Sequence, residues 1–486
     1  MRVPWVIALY RPFRSHLKPQ IRNFLPSTSL GPAGRALGEC HILSPQRPSH
    51  RGVRSSQRYV LPESHRKRGA HCPSRALEET TLPREIVIFL IFLFRLASFL
   101  FRQGPANMSE SYHLLHPPLT GPFPPERVAE PTFDLVVAEL EKARESVEIF
   151  MYVWRADEAG TRVGEAVLAA AERGVKVHII KDIGAIMCEV IEMNRKPFFP
   201  RKIPLLKRMV YKIIARTFPD TFVEDNHDQD LGATLLAHPN VTVEWINKTH
   251  TKYYVFDERL LVTGSINIED RHQDYFDYMI ALEDPQLVKR LRARMRGEIA
   301  FDLGRNFEFL CNSHRSTGES SFEIKPAVLD LIAQARESIY IEVAYIGDPE
   351  FSDALVEAAA RGIRITILFS REANIGNDVN YWAIHDLYMR APVKVYLTDT
   401  MIHAKLLLFD EELVFTGSCN MNIFSLQKAA ELNLLIQNEP AIIEDIKSLI
   451  ARRIAISTRV TSGEELAGFN SILASLQQLH QKLNPN

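Results

Sequence analysis

The sequence contains little cysteine, with 5 in 486 residues. The cysteines lie far apart and form no Cys-x-x-Cys pair, which argues against a structural zinc site and against a disulfide framework. We therefore expect reduced thiols and a cytosolic setting. The five residues are Cys40, Cys72, Cys188, Cys311 and Cys419.

A long apolar run is also absent. The most apolar stretch, residues 86–101, is interrupted by Arg95, and it is shorter than the twenty or so residues that a membrane-spanning helix needs. A charge near the centre of a bilayer is costly, so a full span and a peripheral anchor stay open as alternatives.

The sequence has almost no net charge, −1 in total, but this balance conceals two unlike parts. Residues 1–107 carry 17 Lys and Arg against 5 Asp and Glu, whereas the remainder carries 41 against 54. The first part is rich in Pro, Ser and Arg and lacks a lasting periodicity, which predicts a disordered basic N-terminal extension. It resembles a transit peptide in composition, but we prefer the hypothesis that translation begins at Met108.

Positive charge in the remainder is concentrated in a predicted insertion at residues 190–230. Between residues 195 and 219 there are Lys and Arg but no Asp or Glu. A helical period there places leucine and isoleucine on one face and basic residues on the other, which favours binding to an anionic bilayer surface. A packed helix with a solvated basic side is the alternative. The basic face consists of Lys207, Arg208, Lys212 and Arg216.

The remainder also contains one motif twice, His-x-Lys-x4-Asp-x6-Gly-Ser-x-Asn. A single match at a given position has a probability of roughly 10⁻⁸ at average residue frequencies, so two copies indicate a site. The first copy provides His250, Lys252, Asp257, Gly264, Ser265 and Asn267. The second copy provides His403, Lys405, Asp410, Gly417, Ser418 and Asn420.

Each copy predicts a strand, a turn and a second strand that together form a cup. YYVF and LLLF are typical of buried strands, and the period of two places the His and the Lys of each copy on one face. The Asp-Glu pair predicts the turn, and Gly-Ser ends the second strand where the backbone can approach a ligand closely.

The chemistry of these cups suits a phosphodiester. Lysine, serine and asparagine donors can hold phosphate oxygens. Two facing histidines supply a nucleophile for phosphorus and a general acid for the leaving oxygen. This chemistry needs no metal, and we predict that the protein uses no cofactor.

The paired motif resembles that of the phospholipase D superfamily, and the surrounding sequence is most similar to the cardiolipin synthase branch. The similar segments include MYVWRADEAG, KDIGA and MIHAKLLLFD. The resemblance implies that His250 attacks phosphorus and that His403 protonates the leaving oxygen. It also implies that the phosphate oxygens are held by Lys252, Lys405, Asn267 and Asn420, with support from Ser265 and Ser418.

The resemblance further implies a carboxylate after each motif that orients the imidazole through its second nitrogen. Glu431 matches this pattern in the second half. Asp277 takes the place in the first half, with a shorter side chain and one residue deleted. Asp257 and Asp410 belong to the motif's catalytic set, but we interpret them as structural residues at the strand ends.

The sequence repeats outside the motifs as well, since ARES occurs at 143 and again at 335. We predict an α/β fold of two duplicated phospholipase D-like domains, each a mixed central sheet flanked by helices. A pseudo-twofold axis would place the active site between them. The predicted domains are 108–311 and 322–486, joined by a linker at 312–321.

A last helix is predicted after Ser462 by a row of apolar residues at helical spacing. We expect this row to pack into the core, as such rows usually do. Its members are Leu466, Phe469, Ile472, Leu473, Leu476 and Leu479.

The resemblance implies a phosphatidyltransferase of the cardiolipin synthase type, with a phosphohistidine intermediate and phosphatidylglycerol as the expected substrate. Hydrolysis by a phospholipase D is the alternative, because no single residue reports whether water or a lipid alcohol completes the reaction. A nuclease shares the motif pair, but a body with 41 basic against 54 acidic residues lacks a broadly basic groove. A non-catalytic lipid-binding protein would need a damaged site. We expect a membrane-associated protein on the cytoplasmic side, peripheral or anchored through residues 86–101.

Overall fold

The computed structural model describes residues 112–115, 130–190, 197–201, 230–314, 320–373 and 377–483. Several predicted features lie outside the described residues. They are the N-terminal extension 1–107 with its apolar stretch 86–101, Met108, most of the insertion 190–230, and the basic face of Lys207, Arg208, Lys212 and Arg216.

The first half alternates strands and helices as its repeating apolar pattern predicts. The strands are β1 (Tyr112–Leu115), β2 (Ser146–Met151), β3 (Lys176–Asp182), β4 (Val241–Ile246), β5 (Tyr253–Phe256), β6 (Leu260–Gly264) and β7 (Met279–Glu283). The helices are α1 (Glu130–Lys142), α2 (Glu158–Glu172), α3 (Ile186–Val190), α4 (Leu231–Ala237) and α5 (Pro285–Met295), with a 3₁₀ turn at Asp270–Asp274.

The second half repeats this order. Its strands are β8 (Phe307–His314), β9 (Ser320–Phe322), β10 (Ser338–Val343), β11 (Arg364–Ser370), β12 (Lys394–Thr398), β13 (Lys405–Phe409), β14 (Leu413–Gly417), β15 (Glu431–Gln437) and β16 (Thr458–Arg459). Its helices are α6 (Ile324–Gln334), α7 (Pro349–Ala360), α8 (Asn377–Arg390), α9 (Ile423–Gln427), α10 (Pro440–Ala455) and α11 (Ser471–Leu483), with a 3₁₀ turn at Gly463–Leu466.

The two halves form one mixed sheet each. The first sheet has the order β1-β7-β6-β5-β2-β3-β4, and the second has β16-β12-β11-β10-β13-β14-β15-β8-β9. The run β7-β6-β5-β2-β3-β4 therefore corresponds to β15-β14-β13-β10-β11-β12. The last three strands of each run, β2-β3-β4 and β10-β11-β12, are parallel to one another. The first three, β7-β6-β5 and β15-β14-β13, are antiparallel to one another. The predicted fold of two duplicated α/β units is confirmed.

Alternation along the motif strands shows how the layers are arranged. In β5, Tyr254 and Phe256 face the core that the first half forms with its own helices. The intervening Tyr253 and Val255 belong to a different core, which also contains Leu406 and Leu408 from the second half. The motif strands bury both of their faces, so the two sheets share a core between them, to which α5 and α10 also contribute.

The second sheet begins earlier along the chain than the predicted domain boundary. β8 pairs antiparallel with β15, with Asn312 opposite Glu431. It also pairs with β9, where Asn312 lies opposite Phe322. Residues 312–314 of the predicted linker therefore lie on β8, and residues 320–321 lie on β9 at the edge of the second sheet.

The last helix differs from its prediction. Leu466 is fully buried, but Ile472, Leu476 and Leu479 of the same apolar row are exposed, at 72%, 41% and 49%. The prediction of core packing is therefore wrong for these three residues, because among the described residues α11 packs against α8 and α9 on one side only. None of the helices in the described stretches has the length and apolar character that crossing a bilayer requires.

Candidate active site

The motif acids hold the ends of the motif hairpins in place. Asp257 and Asp410 both adopt a positive φ, 48° and 51°, in the turns that join β5 to β6 and β13 to β14. The Asp257 carboxylate accepts hydrogen bonds from the backbone N–H groups of residues 144–146. The Asp410 carboxylate accepts the matching bonds from residues 336–338. These contacts lower the pKa of both carboxyls although burial opposes it.

Glycine ends each hairpin at a close approach to a neighbouring strand. A Cβ at Gly417 would lie 2.3 Å from the carbonyl oxygen of Leu432, and one at Gly264 would lie 2.6 Å from that of Tyr278. Both positions also have a positive φ. Glycine is therefore needed at these positions for β6 to pair closely with β7 and for β14 to pair closely with β15. This close pairing fixes the positions of Ser265 and Ser418, which follow the two glycines.

The backbone joins the two halves immediately before each histidine. The His250 N–H donates to the carbonyl of Ala430 at 2.7 Å, and the His403 N–H donates to that of Phe276 at 2.9 Å. Isolated bridges pair Thr249 with Ala430, and Phe276 with Ile402. These contacts are equivalent under exchange of the halves, and they place both motif histidines at the boundary between the sheets.

Each histidine bonds to the carboxylate of the opposite half. His250 Nδ1 lies 3.2 Å from Glu431 Oε2 and 2.9 Å from the carbonyl oxygen of Ser418. Since both of these are acceptors, Nδ1 carries a proton and Nε2 keeps its lone pair. His403 Nδ1 lies 2.8 Å from Asp277 Oδ2. The carboxylates predicted to orient the imidazoles thus contact them, but they cross between the halves.

The motif serines support these carboxylates. The Ser418 hydroxyl donates to Glu431 Oε2 at 2.5 Å, and the Ser265 hydroxyl donates to Asp277 Oδ1. All four side chains are buried. A hydroxyl bonded to the charged form of a carboxylate stabilises that form and fixes its rotamer. The serines therefore act on the imidazoles through the acids.

The motif lysines are buried beside the histidines. Lys252 Nζ donates to the His250 carbonyl at 2.7 Å, and Lys405 Nζ donates to the His403 carbonyl. Each ammonium has three donors, so two remain for a ligand. Burial, then the charge on Lys405, lowers the pKa of Lys252 to about 7, and burial lowers that of Lys405 to about 8.

The asparagines that end the two motifs brace the loops behind them. Asn267 Oδ1 accepts from the backbone N–H of Val153 at 3.3 Å, and Asn420 Oδ1 accepts from that of Tyr345 at 3.2 Å. The amide nitrogen of Asn267 also donates to Glu269 Oε1 at 3.2 Å. Both side chains are buried at the loops that follow the motifs.

The electrostatic environment favours neutral imidazoles in the empty site. Burial, followed by the charge on Lys252, lowers the pKa of His250. Burial, followed by the charges on Lys405 and His272, holds the pKa of His403 well below its usual value. Burial alone would raise the pKa of Asp277, but His403 and His272 hold it well below the ordinary range. An anionic phosphate would oppose these shifts of the histidines.

Two residues that contact the motif side chains, Tyr152 and His272, were not predicted from the sequence. The ring of Tyr152 meets the His250 ring edge-on at 4.8 Å and lies 5.2 Å from Lys252 Nζ. In the first half, His272 bonds to Asp277 at 2.9 Å. Neither residue belongs to the repeated motif, so its spacing gave no signal. The available signals were the polar run Glu269–His272, two residues after Asn267, and the position of Tyr152 in MYVWRADEAG.

One group of possible metal ligands lies at the site. His272, Asp277 and His403 bring ligand atoms within 4.8 Å of one another. Both Nδ1 atoms lie within hydrogen-bond distance of the same oxygen, Asp277 Oδ2. An Nδ1–H that donates to a carboxylate has no lone pair for a cation, so hydrogen bonding accounts for the cluster.

The duplicated α/β fold and the paired His-x-Lys cups at the boundary between its halves define a member of the phospholipase D superfamily. The sequence model described as "Cardiolipin synthase, PLD-like domain" matches residues 136–298 and 328–454. The chain belongs to this family.

Curated relatives and solved structures agree with this assignment. The chain is 25% identical over 369 residues to cardiolipin synthase 2 of Staphylococcus epidermidis, covering 73% of this chain and 72% of the relative. It is 24% identical over 341 residues to cardiolipin synthase of Listeria innocua, covering 65% and 66%. Its fold is similar to the crystal structure of phosphatidylserine synthase of Haemophilus influenzae, with a TM-score of 0.53, 12% identity, and coverage of 78% of this chain and 94% of that one.

Proposed function

We propose that the protein is a phosphatidyltransferase of the cardiolipin synthase type, with phosphatidylglycerol as its substrate. One observation carries this proposal. Each motif histidine is hydrogen-bonded to a carboxylate of the opposite half, so the two cups form a single site. Membership of a family described by cardiolipin synthase adds the substrate class.

In the first step, Nε2 of His250 attacks phosphorus, and the bond to the leaving oxygen breaks. His403 Nε2–H protonates that oxygen, so glycerol leaves and a phosphatidyl group stays on His250. Lys252 and Lys405 hold the phosphate oxygens, because each keeps donors beyond its bond to a carbonyl. The negative phosphate raises the proton affinity of His403 before this step.

In the second step, neutral His403 takes the proton of a hydroxyl on a second phosphatidylglycerol. The hydroxyl oxygen attacks phosphorus, the bond from phosphorus to His250 breaks, and cardiolipin leaves. This step leaves His250 neutral and returns a proton to Nε2 of His403. Glu431 and Asp277 keep a proton on Nδ1 of both rings throughout.

The charge distribution favours lipid over nucleic acid as the substrate. Residues 108–486 carry 41 Lys and Arg against 54 Asp and Glu. A groove for nucleic acid tracks a polyanion and is broadly basic. The basic face of Lys207, Arg208, Lys212 and Arg216 provides a local contact with an anionic membrane surface, which we propose to be the cytoplasmic one.

Product analysis tests the proposal. The protein is incubated with phosphatidylglycerol vesicles and, separately, with single-stranded DNA, and the products are identified by mass spectrometry. We expect cardiolipin and glycerol from the vesicles and no cleavage of DNA. Phosphatidic acid as the sole lipid product would identify a phospholipase D instead, and cleaved DNA would identify a nuclease.

Two variants serve as controls in the same assay. His250→Ala and His403→Ala should each lower turnover by about a thousandfold or more, because a nucleophile and its acid act as a unit. Substantial transfer in either variant would contradict the roles given to the two histidines.

A further inference from the structure

The two histidine–carboxylate pairs differ in how many imidazoles each carboxylate serves. Asp277 Oδ2 lies 2.8 Å from His403 Nδ1 and 2.9 Å from His272 Nδ1. The two rings stand edge to face, 4.5 Å apart. Glu431 contacts His250 alone among the histidines of the described residues, and its Oε1 has no hydrogen-bond partner there. The site is therefore asymmetric.

His272 is held between two carboxylates. Its Nε2 lies 3.1 Å from Glu269 Oε1, opposite the bond from Nδ1 to Asp277. The Asn267 amide nitrogen lies 3.3 Å from the same Nε2, but it is a donor and bonds to Glu269 instead. Burial would lower the pKa of His272, yet Asp277 and Glu269 raise it above its usual value. The two carboxylates therefore favour the protonated form of His272 over its neutral form.

Arginine keeps Glu269 ionised. Arg155 Nε donates to Glu269 Oε2, and Arg271 Nε lies 3.1 Å from the same oxygen. Burial alone would raise the pKa of Glu269, but these two charges hold it well below the ordinary range. The carboxylate on the far side of His272 is therefore a lasting negative charge.

This arrangement is built into one half of the duplicated fold. Counted from the motif asparagines, Glu269 corresponds to Asn422 and His272 corresponds to Ser425. Asn422 caps α9 by accepting from the Ser425 N–H at 2.9 Å. A helix cap thus replaces the charged cluster in the second half, so the cluster is not needed to form a cup.

We propose that His272 is a positioning residue for His403, which shares the Asp277 carboxylate with it and keeps Nε2 of His403 free of a proton until an anionic phosphodiester binds. Like charge beside an imidazole disfavours its protonated form. The other groups that act on His403 are Lys405, whose charge has the same effect, Asp277, and the stacked ring of Tyr275 at 6.3 Å. The expected effect of His272 on turnover rests on the proposed function, whereas its effect on the charge of His403 does not.

The test reads the charge of His403 directly, without substrate. Protein labelled with ¹⁵N at histidine is titrated by NMR, and the His403 signal is assigned from its loss in His403→Gln. His272→Ser copies the second half, and His272→Asn replaces the imidazole with a neutral donor. His113→Ser changes an exposed histidine on β1 and serves as the matched control.

We expect the titration midpoint of His403 to rise by about one pH unit or more in both His272 variants and to stay unchanged in His113→Ser. Turnover should follow, with the limb of the kcat/KM profile that reports His403 moving to higher pH. An unchanged midpoint in either folded variant would overturn the proposal. Loss of the native spectrum in both variants would also overturn it, since His272 would then be needed for folding.

The NMR result is independent of the lipid reaction. If the protein makes no cardiolipin, the proposed function fails while the midpoint of His403 still reports on His272. If cardiolipin forms and the midpoint does not move, the proposed function stands and the role of His272 falls.

Discussion

The carboxylates in and around this site have two different roles. Asp257 and Asp410 accept backbone N–H groups at the outer ends of the hairpins, whereas Asp277 and Glu431 face the imidazoles. Repetition in the sequence identifies the first set, and the family resemblance identifies the second, but neither shows what each carboxylate contacts. The separation follows from what each carboxylate touches.

The first prediction separates these roles by substitution. Asp257→Asn should lower the free energy of unfolding by about 1–3 kcal/mol, because backbone donors lose a charged acceptor, while kcat stays within about threefold. Glu431→Gln should lower kcat by about a hundredfold or more, because the His250 tautomer is no longer fixed. Denaturant unfolding and steady-state kinetics measure the two effects. A large loss of kcat in a stable Asp257→Asn protein would contradict the structural role.

The second prediction concerns the lysines and pH. The pKa values of about 7 for Lys252 and about 8 for Lys405 mean that the empty site loses positive charge as the pH rises through that range. Binding of a soluble phosphodiester, whose own charge is constant there, should therefore weaken from pH 6 to pH 9, by about tenfold or more. Isothermal titration calorimetry at each pH measures the dissociation constant. Lys252→Met should bind weakly at every pH, and a flat native profile would contradict the lysine assignment.

At the scale of elements, helix α10 connects the core to the site. Arg453, fully buried on α10, bonds to Glu342 on β10 through Nη1 and to the Asp277 carbonyl through Nη2 at 2.9 Å. Glu342 corresponds to Phe150 in the first half, counted along the equivalent strands β10 and β2. The second sheet thus holds an ion pair where the first holds an aromatic ring, and this pair braces the orienting acid.

The third prediction tests this ion pair. Arg453→Met leaves Glu342 buried without its partner and should lower the free energy of unfolding by about 3–5 kcal/mol. Adding Glu342→Gln removes the stranded charge and should restore about half of the loss or more. Chemical denaturation of the single and double variants measures both. Equal losses in the two proteins would show that the pair contributes no coupling.

The helices and strands could be predicted from the sequence, but the contacts between the two sheets could not. Alternation and repetition indicated the hairpins, the crossover helices and the duplicated sheets. The crossing of Asp277 to His403 depends on how two sheets pack, and no spacing along one chain reports it. Ile472, Leu476 and Leu479 were predicted to be core residues from their period, but the part of the chain that the structure describes packs against only one side of α11. His272 was missed because its partner Asp277 lies beyond a turn and outside the repeated motif.

For the whole molecule, the lipid reaction requires contact with a membrane surface, and the fourth prediction tests where that contact lies. Replacing Lys207, Arg208, Lys212 and Arg216 with glutamine should weaken binding to phosphatidylglycerol vesicles in low salt, by about 1 kcal/mol per residue. Sedimentation with vesicles measures it. A matched control replaces the exposed Arg144, Lys176, Arg296 and Arg336. Equal binding of both variants would show that these four basic residues are not the membrane contact.

The central claim is that the two halves together form one phosphate site in which His250 carries the phosphatidyl group. The most direct measurement is a rapid quench of the protein with phosphatidylglycerol at alkaline pH, where phosphohistidine survives, followed by peptide mapping by mass spectrometry. We expect a phosphatidyl adduct on His250 in the native protein and none in His250→Ala. An adduct on His403, or rapid turnover with no adduct on either histidine, would contradict it.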